Sequence, residues 1–302
     1  MKFLMFADLH HYPGVYDGGD WEDLKEIQQK AEENGCSFII HAGDFCHGAA
    51  KVRDYVEAYN SFHIPSYHCL GNHDTDETSL EETLKIYQMP SDHYFFDCEG
   101  YRVIVANPNY YKDGDEYVPY SLGNYYSHPN DLEYIPPEQM QWLKETVETS
   151  PYPCIVITHQ SFEQCNGVQN RAEVQAIFNE ANRKKKHSVL MCLNGHYHRD
   201  FVRILDNICY WDVNSASFDP LEAPHDLYPE ELCKKFKVLR HIISFTEPLY
   251  AIVTLERAHI KVEGKTTEYL MGITREMTGN PPFNKSGRPL TPSIKSFDIT
   301  LG

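Results

Sequence analysis

Short apolar segments alternate with amphipathic stretches along the first two-thirds of the chain, and polar side chains directly follow five of the apolar segments. Short apolar runs rich in β-branched and aromatic residues are typical of strands buried on both faces, and the stretches between them have helical spacing. This alternation predicts an α/β fold. Because ligands gather beyond the carboxyl ends of strands in an open α/β sheet, the five strand ends are expected to converge on one site.

The side chains at these strand ends are of the types that bind metals or transfer protons. Asp, His and Asn offer oxygen and nitrogen ligands that suit divalent metals such as Zn, Mn and Fe. In Asp-x-His and His-x-His, the outer side chains of an extended segment point to the same side, so both can face one ion. The candidate ligands exceed what one catalytic ion uses, and they suit two ions that share a carboxylate. They are Asp8, His10, Asp44, Asn72, His159, His196 and His198.

These residues belong to motifs in which glycine allows tight turns and close backbone approach. In chain order the motifs read Asp8-Leu9-His10, Gly43-Asp44, Gly71-Asn72-His73-Asp74, His159 and Gly195-His196-Tyr197-His198. On these five blocks, present in order, the chain resembles the calcineurin-like metallophosphoesterase superfamily. The resemblance implies an α/β fold, a four-layer αββα sandwich with two central mixed β-sheets.

The resemblance also implies a dinuclear metal centre that holds two divalent or trivalent ions, Mn, Fe or Zn. By position it assigns to the first ion Asp8, His10 and His198. It assigns to the second ion Asn72, His159 and His196, with Asp44 as the bridge. His73 is then the catalytic residue, which contacts the phosphate and donates a proton to the leaving group. An imidazole suits that role near neutral pH.

We therefore expect a metal-dependent phosphohydrolase in which a metal-bound hydroxide attacks phosphorus in line with the leaving group. Gly-Asn-His-Asp occurs in phosphodiesterase-like members of the superfamily, whereas Gly-Asn-His-Glu is typical of its Ser/Thr phosphatases. The sequence thus favours a phosphodiesterase with a small or diffusible substrate. The alternatives are a phosphomonoesterase of the same fold, a DNA nuclease, and a metal-free binding scaffold, against which the filled ligand positions argue.

One motif departs from the pattern of many relatives, which read Gly-Asp-x-x-Asp and use the second Asp to support the catalytic His. Here His47 occupies that second position. It is a substituted orienter, a substrate contact or an exposed residue, so the partner of His73 stays open. The candidates for contacting the substrate or supporting the ligands are His11, His47, Asp74, Asn109 and Gln160.

Charge and cysteine content restrict the partners and the compartment. The formal net charge is −17, which disfavours nucleic acid and anionic membranes as partners. No apolar run reaches the roughly 18 residues that span a bilayer. The nine cysteines are an odd number without a Cys-x-x-Cys pair, which favours free thiols. We therefore expect a cytoplasmic protein; its oligomeric state stays open.

The chain shows no composition break, so one phosphoesterase domain is expected over residues 1–302. The motifs occupy residues 8–198. Strands predicted after Asp200 are expected to complete the second sheet, with a C-terminal wrap over 276–302. The tyrosine-rich stretch 107–135 is predicted to be a long loop over the site. Its tyrosines either pack on the core or stack on a ring of the substrate.

Overall fold

The computed structural model describes residues 1–12, 19–221, 223–278 and 291–302. The strands are β1 (Lys2–Phe6), β2 (Phe38–His41), β3 (Ser66–Tyr67), β4 (Tyr94–Cys98), β5 (Tyr101–Val105), β6 (Tyr110–Asp113), β7 (Glu116–Pro119), β8 (Cys154–Ile157), β9 (Val189–Asn194), β10 (Phe201–Leu205), β11 (Ile208–Asp212), β12 (Phe218–Pro220), β13 (Ile242–Ser244), β14 (Ala251–Glu256), β15 (His259–Gly264) and β16 (Phe297–Thr300). The α-helices are α1 (Gly19–Glu33), α2 (Arg53–Asn60), α3 (Leu80–Ile86), α4 (Pro137–Glu148), α5 (Arg171–Lys184) and α6 (Glu230–Lys235). Short 3₁₀ helices occupy Ala49–Val52, His73–Thr75, Asn124–Ser127, Lys237–Arg240, Leu270–Gly272 and Arg275–Thr278.

Two mixed sheets form the centre of the molecule within the described ranges. The first has the order β16-β15-β14-β1-β2-β3, in which β1, β2 and β3 are parallel and the other pairs are antiparallel. The second has the order β10-β11-β9-β8-β5-β4, with β5, β8, β9 and β11 parallel. The parallel strands bring their carboxyl ends to one edge of each sheet.

Alternate residues of the strands build the layers. On β1, Phe3 and Met5 are fully buried in the core between the two sheets, whereas Leu4 and Phe6 pack towards α1 and α2. On the second sheet, Val103 faces the shared core and Ile104 packs with residues of α4 and α5. Burial of each such side chain contributes roughly 1.5–3 kcal/mol. The predicted four-layer αββα sandwich is thereby confirmed.

Helix boundaries follow the capping signals in the sequence. The Ser79 hydroxyl accepts a hydrogen bond from the Glu82 amide (3.2 Å) at the start of α3, as expected of a capping box. Pro137 opens α4, where a missing amide hydrogen costs nothing. These local signals fix where the helices start, and so fix the loops that carry the polar residues.

The long predicted loop contains more structure than expected. Within 107–135, β6 and β7 form an antiparallel hairpin. Three tyrosines pack into a small cluster of their own, which supports the packing interpretation for Tyr111, Tyr120 and Tyr125. Tyr126 stays 61% exposed. The hairpin was missed because its strands are polar and short.

The strands after Asp200 do not all complete the second sheet, contrary to the expectation: they extend both central sheets, and β12 and β13 form a separate antiparallel ribbon. β10 and β11 extend the second sheet, whereas β14, β15 and β16 extend the first. The residue pattern of a strand does not show which of two open sheet edges the strand joins, so the sheet to which each strand belongs could not be predicted from the sequence. The expected C-terminal wrap over 276–302 contains β16, and its residues 279–290 lie outside the described residues. No helix in the described part of the chain has the length and apolar character needed to cross a membrane.

Candidate metal centre

The polar residues at the strand ends meet where the two sheets adjoin. Asp8 and His10 follow β1, Asp44 follows β2, His159 follows β8, and His196 follows β9. The backbone there is held by cross-connections, including Asp8 N–H to the Gly43 carbonyl (3.0 Å) and His10 N–H to the Asp44 carbonyl (2.8 Å). The predicted convergence of the strand ends is confirmed.

Several of these residues adopt a left-handed backbone conformation. The φ angles are 52° at Asp8, 51° at His10, 50° at Asp44, 70° at His196 and 46° at His198. Each costs a residue with a Cβ atom roughly 1–2 kcal/mol, and such strain concentrates at functional sites. All five residues lie in the short segments that follow β1, β2 and β9.

The motif glycines are required by close contacts. A Cβ on Gly43 would lie 2.4 Å from His159 Nδ1, and one on Gly71 would lie 2.2 Å from the backbone nitrogen of Asp44. A Cβ on Gly195 would lie 2.5 Å from an Asp8 carboxylate oxygen. The expectation of close backbone approach at these glycines is confirmed.

A first group of potential metal ligands comprises Asp8, His10 and His198. The Nε2 atoms of His10 and His198 are 3.1 Å apart, and His198 Nε2 is 3.6 Å from Asp8 Oδ1. The Nδ1–H of His198 donates to the Phe218 carbonyl (2.9 Å). That bond leaves Nε2 of His198 with its lone pair towards the centre, which is how protein partners orient ligating histidines.

A second group comprises Asp44, His159 and His196, and Asn72 contacts both histidines. His159 Nε2 is 3.0 Å from Asp44 Oδ2 and 3.2 Å from Asn72 Oδ1, and His196 Nδ1 is 3.1 Å from Asn72 Oδ1. The Nδ1–H of His159 donates to the Ala42 carbonyl (2.7 Å), which again directs Nε2 inwards. Asp44 Oδ2 is also 3.7 Å from His10 Nε2, so this carboxylate lies between the groups.

The electrostatics of the two groups favour a bound cation. Burial raises the pKa of Asp8 to about 8, because its carboxylate has left water. Burial lowers the pKa of His196 to about 3 and of His198 to about 4, so both imidazoles are neutral with lone pairs free to bind. Burial also lowers the pKa of His159, but the neighbouring Asp44 carboxylate outweighs burial and raises that pKa to about 10. The protonated His159 thus compensates the Asp44 carboxylate, and a metal ion that binds His159 would take over this compensation as the proton leaves.

His73 lies beside Asp44 and is held by an acid that the sequence analysis did not single out. Its amide donates to Asp44 Oδ1 (2.8 Å), and its Nδ1 is 2.6 Å from Asp76 Oδ2. Asp76 also accepts hydrogen bonds from the hydroxyls of Tyr125 (2.8 Å) and Tyr126 (3.0 Å). The open question of the partner of His73 is therefore answered by Asp76. The signal was an acid three residues after the histidine, where the chain makes one turn.

His47 lies between the first group and Asp76. Its Nε2 is 3.0 Å from His10 Nδ1, and its Nδ1 is 3.7 Å from Asp76 Oδ2. His47, His73 and Asp76 form a third set of close potential ligand atoms. His47 therefore contacts the candidate ligand His10, as expected of a residue that supports the ligands.

The remaining candidates support the loops. Asp74 accepts from the amides of Gly71 (2.7 Å) and Asp44 (3.1 Å), so it ties two motif loops together. His11 stacks on Tyr55, with ring centroids 3.8 Å apart. The side-chain amide of Asn109 donates to the Leu70 carbonyl (2.8 Å), and that of Gln160 donates to Asn109 Oδ1 (2.8 Å). Both amides are buried.

A further acid reaches the site from the long loop. Glu133 Oε1 is 3.5 Å from His196 Nε2. Burial raises the pKa of Glu133 to about 7. The sequence offered no motif around this residue, because only the folding of the 107–135 segment brings it to the site.

Comparisons with known proteins agree with this architecture. A family model described as calcineurin-like phosphoesterase matches residues 1–200. A search of curated proteins finds no match. A dimetal phosphatase from Danio rerio is 12% identical with a TM-score of 0.64, over 100% of this chain and 99% of the other. GAP50, described as the anchor in the inner membrane complex of Plasmodium, is 12% identical with a TM-score of 0.55, over 100% and 89%. At these identities the likeness shows the fold.

Proposed function

Since the chain belongs to the calcineurin-like phosphoesterase family, we propose that it is a dinuclear metal-dependent phosphohydrolase acting on a small phosphodiester. One observation carries the proposal. Two groups of potential ligand atoms lie side by side with the Asp44 carboxylate between them, and an imidazole held by an acid lies next to Asp44. That is the minimal equipment for displacing an oxygen leaving group from phosphorus.

The proposal assigns the donor set to two ions. Asp8, His10 and His198 would hold one, and Asn72, His159 and His196 would hold the other, with Asp44 between them. Mn, Fe and Zn all suit these oxygen and nitrogen donors. When bound, two such ions neutralise charge on phosphoryl oxygens and make water a stronger nucleophile.

His73 is the proton donor in this proposal. Burial acts to lower its pKa, but the carboxylates of Asp44 and Asp76 outweigh burial and raise it, which favours the protonated ring that a proton donor needs. Asp76 accepts the Nδ1 proton, which leaves Nε2–H to face the leaving-group oxygen. Protonation of that oxygen as the P–O bond breaks avoids the release of an unstable alkoxide.

Asp76 is a positioning residue for His73. Burial acts to raise its pKa, but hydrogen bonds from His47, His73 and Tyr125 hold it below the usual range, so it stays a carboxylate. Together with the two tyrosines, it fixes the imidazole plane.

The preference for diesters over monoesters rests on the Gly-Asn-His-Asp motif, and the relative rates on a diester and a monoester test it.

The test is hydrolysis of bis(p-nitrophenyl) phosphate and p-nitrophenyl phosphate by chelator-treated protein, with and without added Mn. Asp44→Asn removes the shared carboxylate, and Asp54→Asn, at an exposed position on α2, is the matched control. We expect Mn-dependent turnover in wild type and in Asp54→Asn, faster on the diester, and loss in Asp44→Asn. Bound metal is counted by mass spectrometry in parallel. Absence of both turnover and bound metal in wild type contradicts the proposal.

A further inference from the structure

A cavity of about 540 Å³ opens beside the candidate metal centre. Its inner wall is formed by the imidazoles of His10, His47 and His73. The volume lies within the range of pockets that hold a drug-sized ligand, and exceeds the space that a phosphoryl group alone would need. Because His73 lines it, the cavity lies on the side of the site where the proposed proton donor meets the leaving group.

The outer walls come from Tyr12, which precedes α1, and from the segment between β11 and β14. They are apolar and largely aromatic, and they consist of Tyr12, Phe218, Phe236, Val238 and Ile242. The Phe218 ring is anchored against the first ligand group, with its centroid 5.0 Å from that of His10 and 4.6 Å from that of His198. Tyr12 and Val238 are 46% and 42% exposed, so this apolar surface is open to a ligand.

Lysines complete the lining. Lys234, Lys235 and Lys237 all contribute to it, and none of the described residues that line the cavity is acidic. Lys234 pairs with Glu230 at 3.7 Å, both largely exposed, and the Lys235 ammonium lies 4.6 Å from the Phe236 ring centroid. Lys237 forms no ion pair with any residue in the described part of the chain. The described lining of this cavity therefore has basic but no acidic side chains, although the chain has a net charge of −17.

We infer that the leaving group of the substrate has a ring-containing apolar body and a second anionic group, a carboxylate or phosphate, that meets these lysines. The inference rests on the proposed function, because it places the scissile phosphorus at the ligand groups. Aromatic and aliphatic walls bind the body by burial of apolar surface, and the lysines bind the anion beyond it. A leaving group without the anionic group would contact the apolar walls but not the lysines.

The test compares leaving groups that differ by one charge. The substrates are 4-nitrophenyl phosphate and 3-carboxy-4-nitrophenyl phosphate, each also as its methyl diester, and kcat/KM is measured on Mn-loaded protein. The variant is Lys235→Ala with Lys237→Ala. The control is Lys144→Ala with Lys186→Ala, which removes the same charge at exposed positions on α4 and after α5.

We expect wild type and control to prefer the carboxylated leaving group by about fivefold or more, a modest ratio because exposed charge pairs contribute little each. The preference should disappear in Lys235→Ala/Lys237→Ala and shrink with added salt. Phe236→Ala should lower kcat/KM for both substrates.

A binding measurement separates failure of this inference from failure of the proposed function. Phenylphosphonate and 3-carboxyphenylphosphonate are titrated calorimetrically into Mn-loaded protein, which requires no turnover. The protein could prefer the carboxylated phosphonate in a lysine-dependent way and yet hydrolyse no ester. That result would support the proposed anion-binding site and contradict the proposed phosphohydrolase activity. Hydrolysis with no preference, or with a preference that survives the lysine variant, would overturn the inference and leave the phosphohydrolase standing.

Discussion

The candidate ligands are placed by backbone strain as much as by their side-chain chemistry. Asp8, Asp44 and His196 all have φ between 50° and 70°. Sequence motifs identified these residues, but not their conformation, because the left-handed state is imposed by tertiary contacts. The contacts include the Asp8 carboxylate, which accepts from the His196 amide at 3.0 Å across the two sheets. The identity of the candidate ligands could be predicted from residue types. Their backbone geometry could not, because it depends on neighbours that are distant in sequence.

Substitution of Gly43 tests why a glycine is required in its motif: for close contact with neighbouring atoms, or for its positive φ angle. Both Gly43 and Gly100 have positive φ, 89° and 80°, but a Cβ on Gly100 would meet nothing within 4 Å. We expect Gly100→Ala to cost only the backbone strain, roughly 1 kcal/mol, with full metal content. Gly43→Ala displaces His159 and should lose bound Mn and turnover. Equal metal content and equal melting temperature in the two variants would contradict this account.

Asp76 is tested by the dependence of rate on the leaving group. Asp76→Asn removes the charge that holds His73 protonated and aligned. A general acid contributes roughly 10²–10⁴-fold to such reactions. We expect kcat on an alkyl ester to fall by about tenfold or more, but kcat on the nitrophenyl ester, whose leaving group needs no proton, to change little. His73→Ala should show the same contrast. Equal loss on both esters would indicate a merely structural role.

Element boundaries were predictable where local signals exist, and unpredictable where only tertiary pairing decides. The capping box at Ser79 and the proline at α4 set real boundaries. β3 is limited to Ser66–Tyr67, because the residues that follow leave the sheet to form the Gly71 loop. β4 and β16 were missed, since their alternating exposed residues are typical of sheet edges, where hydrophobic runs are weak.

The ribbon of β12 and β13 carries a buried acid whose ionisation should affect stability. Asp219 on β12 is fully buried and accepts from the Tyr269 hydroxyl (2.6 Å). Burial raises its pKa from 3.8 to about 7. The folded state therefore binds the proton more tightly than the unfolded chain does. The contribution of this group is complete below about pH 4 and is lost as pH rises through 7.

Asp219→Asn removes that ionisation and keeps the acceptor for Tyr269. We expect the variant to gain free energy of unfolding relative to wild type between pH 5 and pH 8, by about 2–3 kcal/mol at about 1.4 kcal/mol per pH unit. Urea unfolding of chelator-treated protein at the two pH values measures it. Asp54→Asn, on the exposed side of α2, should show no such difference between the two pH values. A variant-to-wild-type difference that is the same at both pH values would refute the role of Asp219.

At the scale of the whole molecule, the candidate metal centre joins the two sheets. Asp8, His10 and Asp44 come from the first sheet, whereas His159, His196 and His198 come from the second. Without a cation, the seam contains buried carboxylates compensated by histidines, above all His159. Ions that bind this seam in the folded protein, and not in the unfolded chain, must stabilise the association of the sheets.

Metal removal should therefore lower the stability of the entire fold rather than that of one loop. At a free Mn concentration 100-fold above the dissociation constant, the expected gain is about 2.7 kcal/mol for each ion. Thermal unfolding is followed with Mn and with chelator, using near-ultraviolet circular dichroism for the core and far-ultraviolet signal for the sheets. In wild type and in Asp54→Asn, Mn should raise the melting temperature by the same amount at both wavelengths. In Asp44→Asn this Mn-dependent increase should be smaller. If Mn shifted neither transition, or shifted Asp44→Asn as much as wild type, the ions would not bind across the sheets, and the proposed sharing of Asp44 would be wrong.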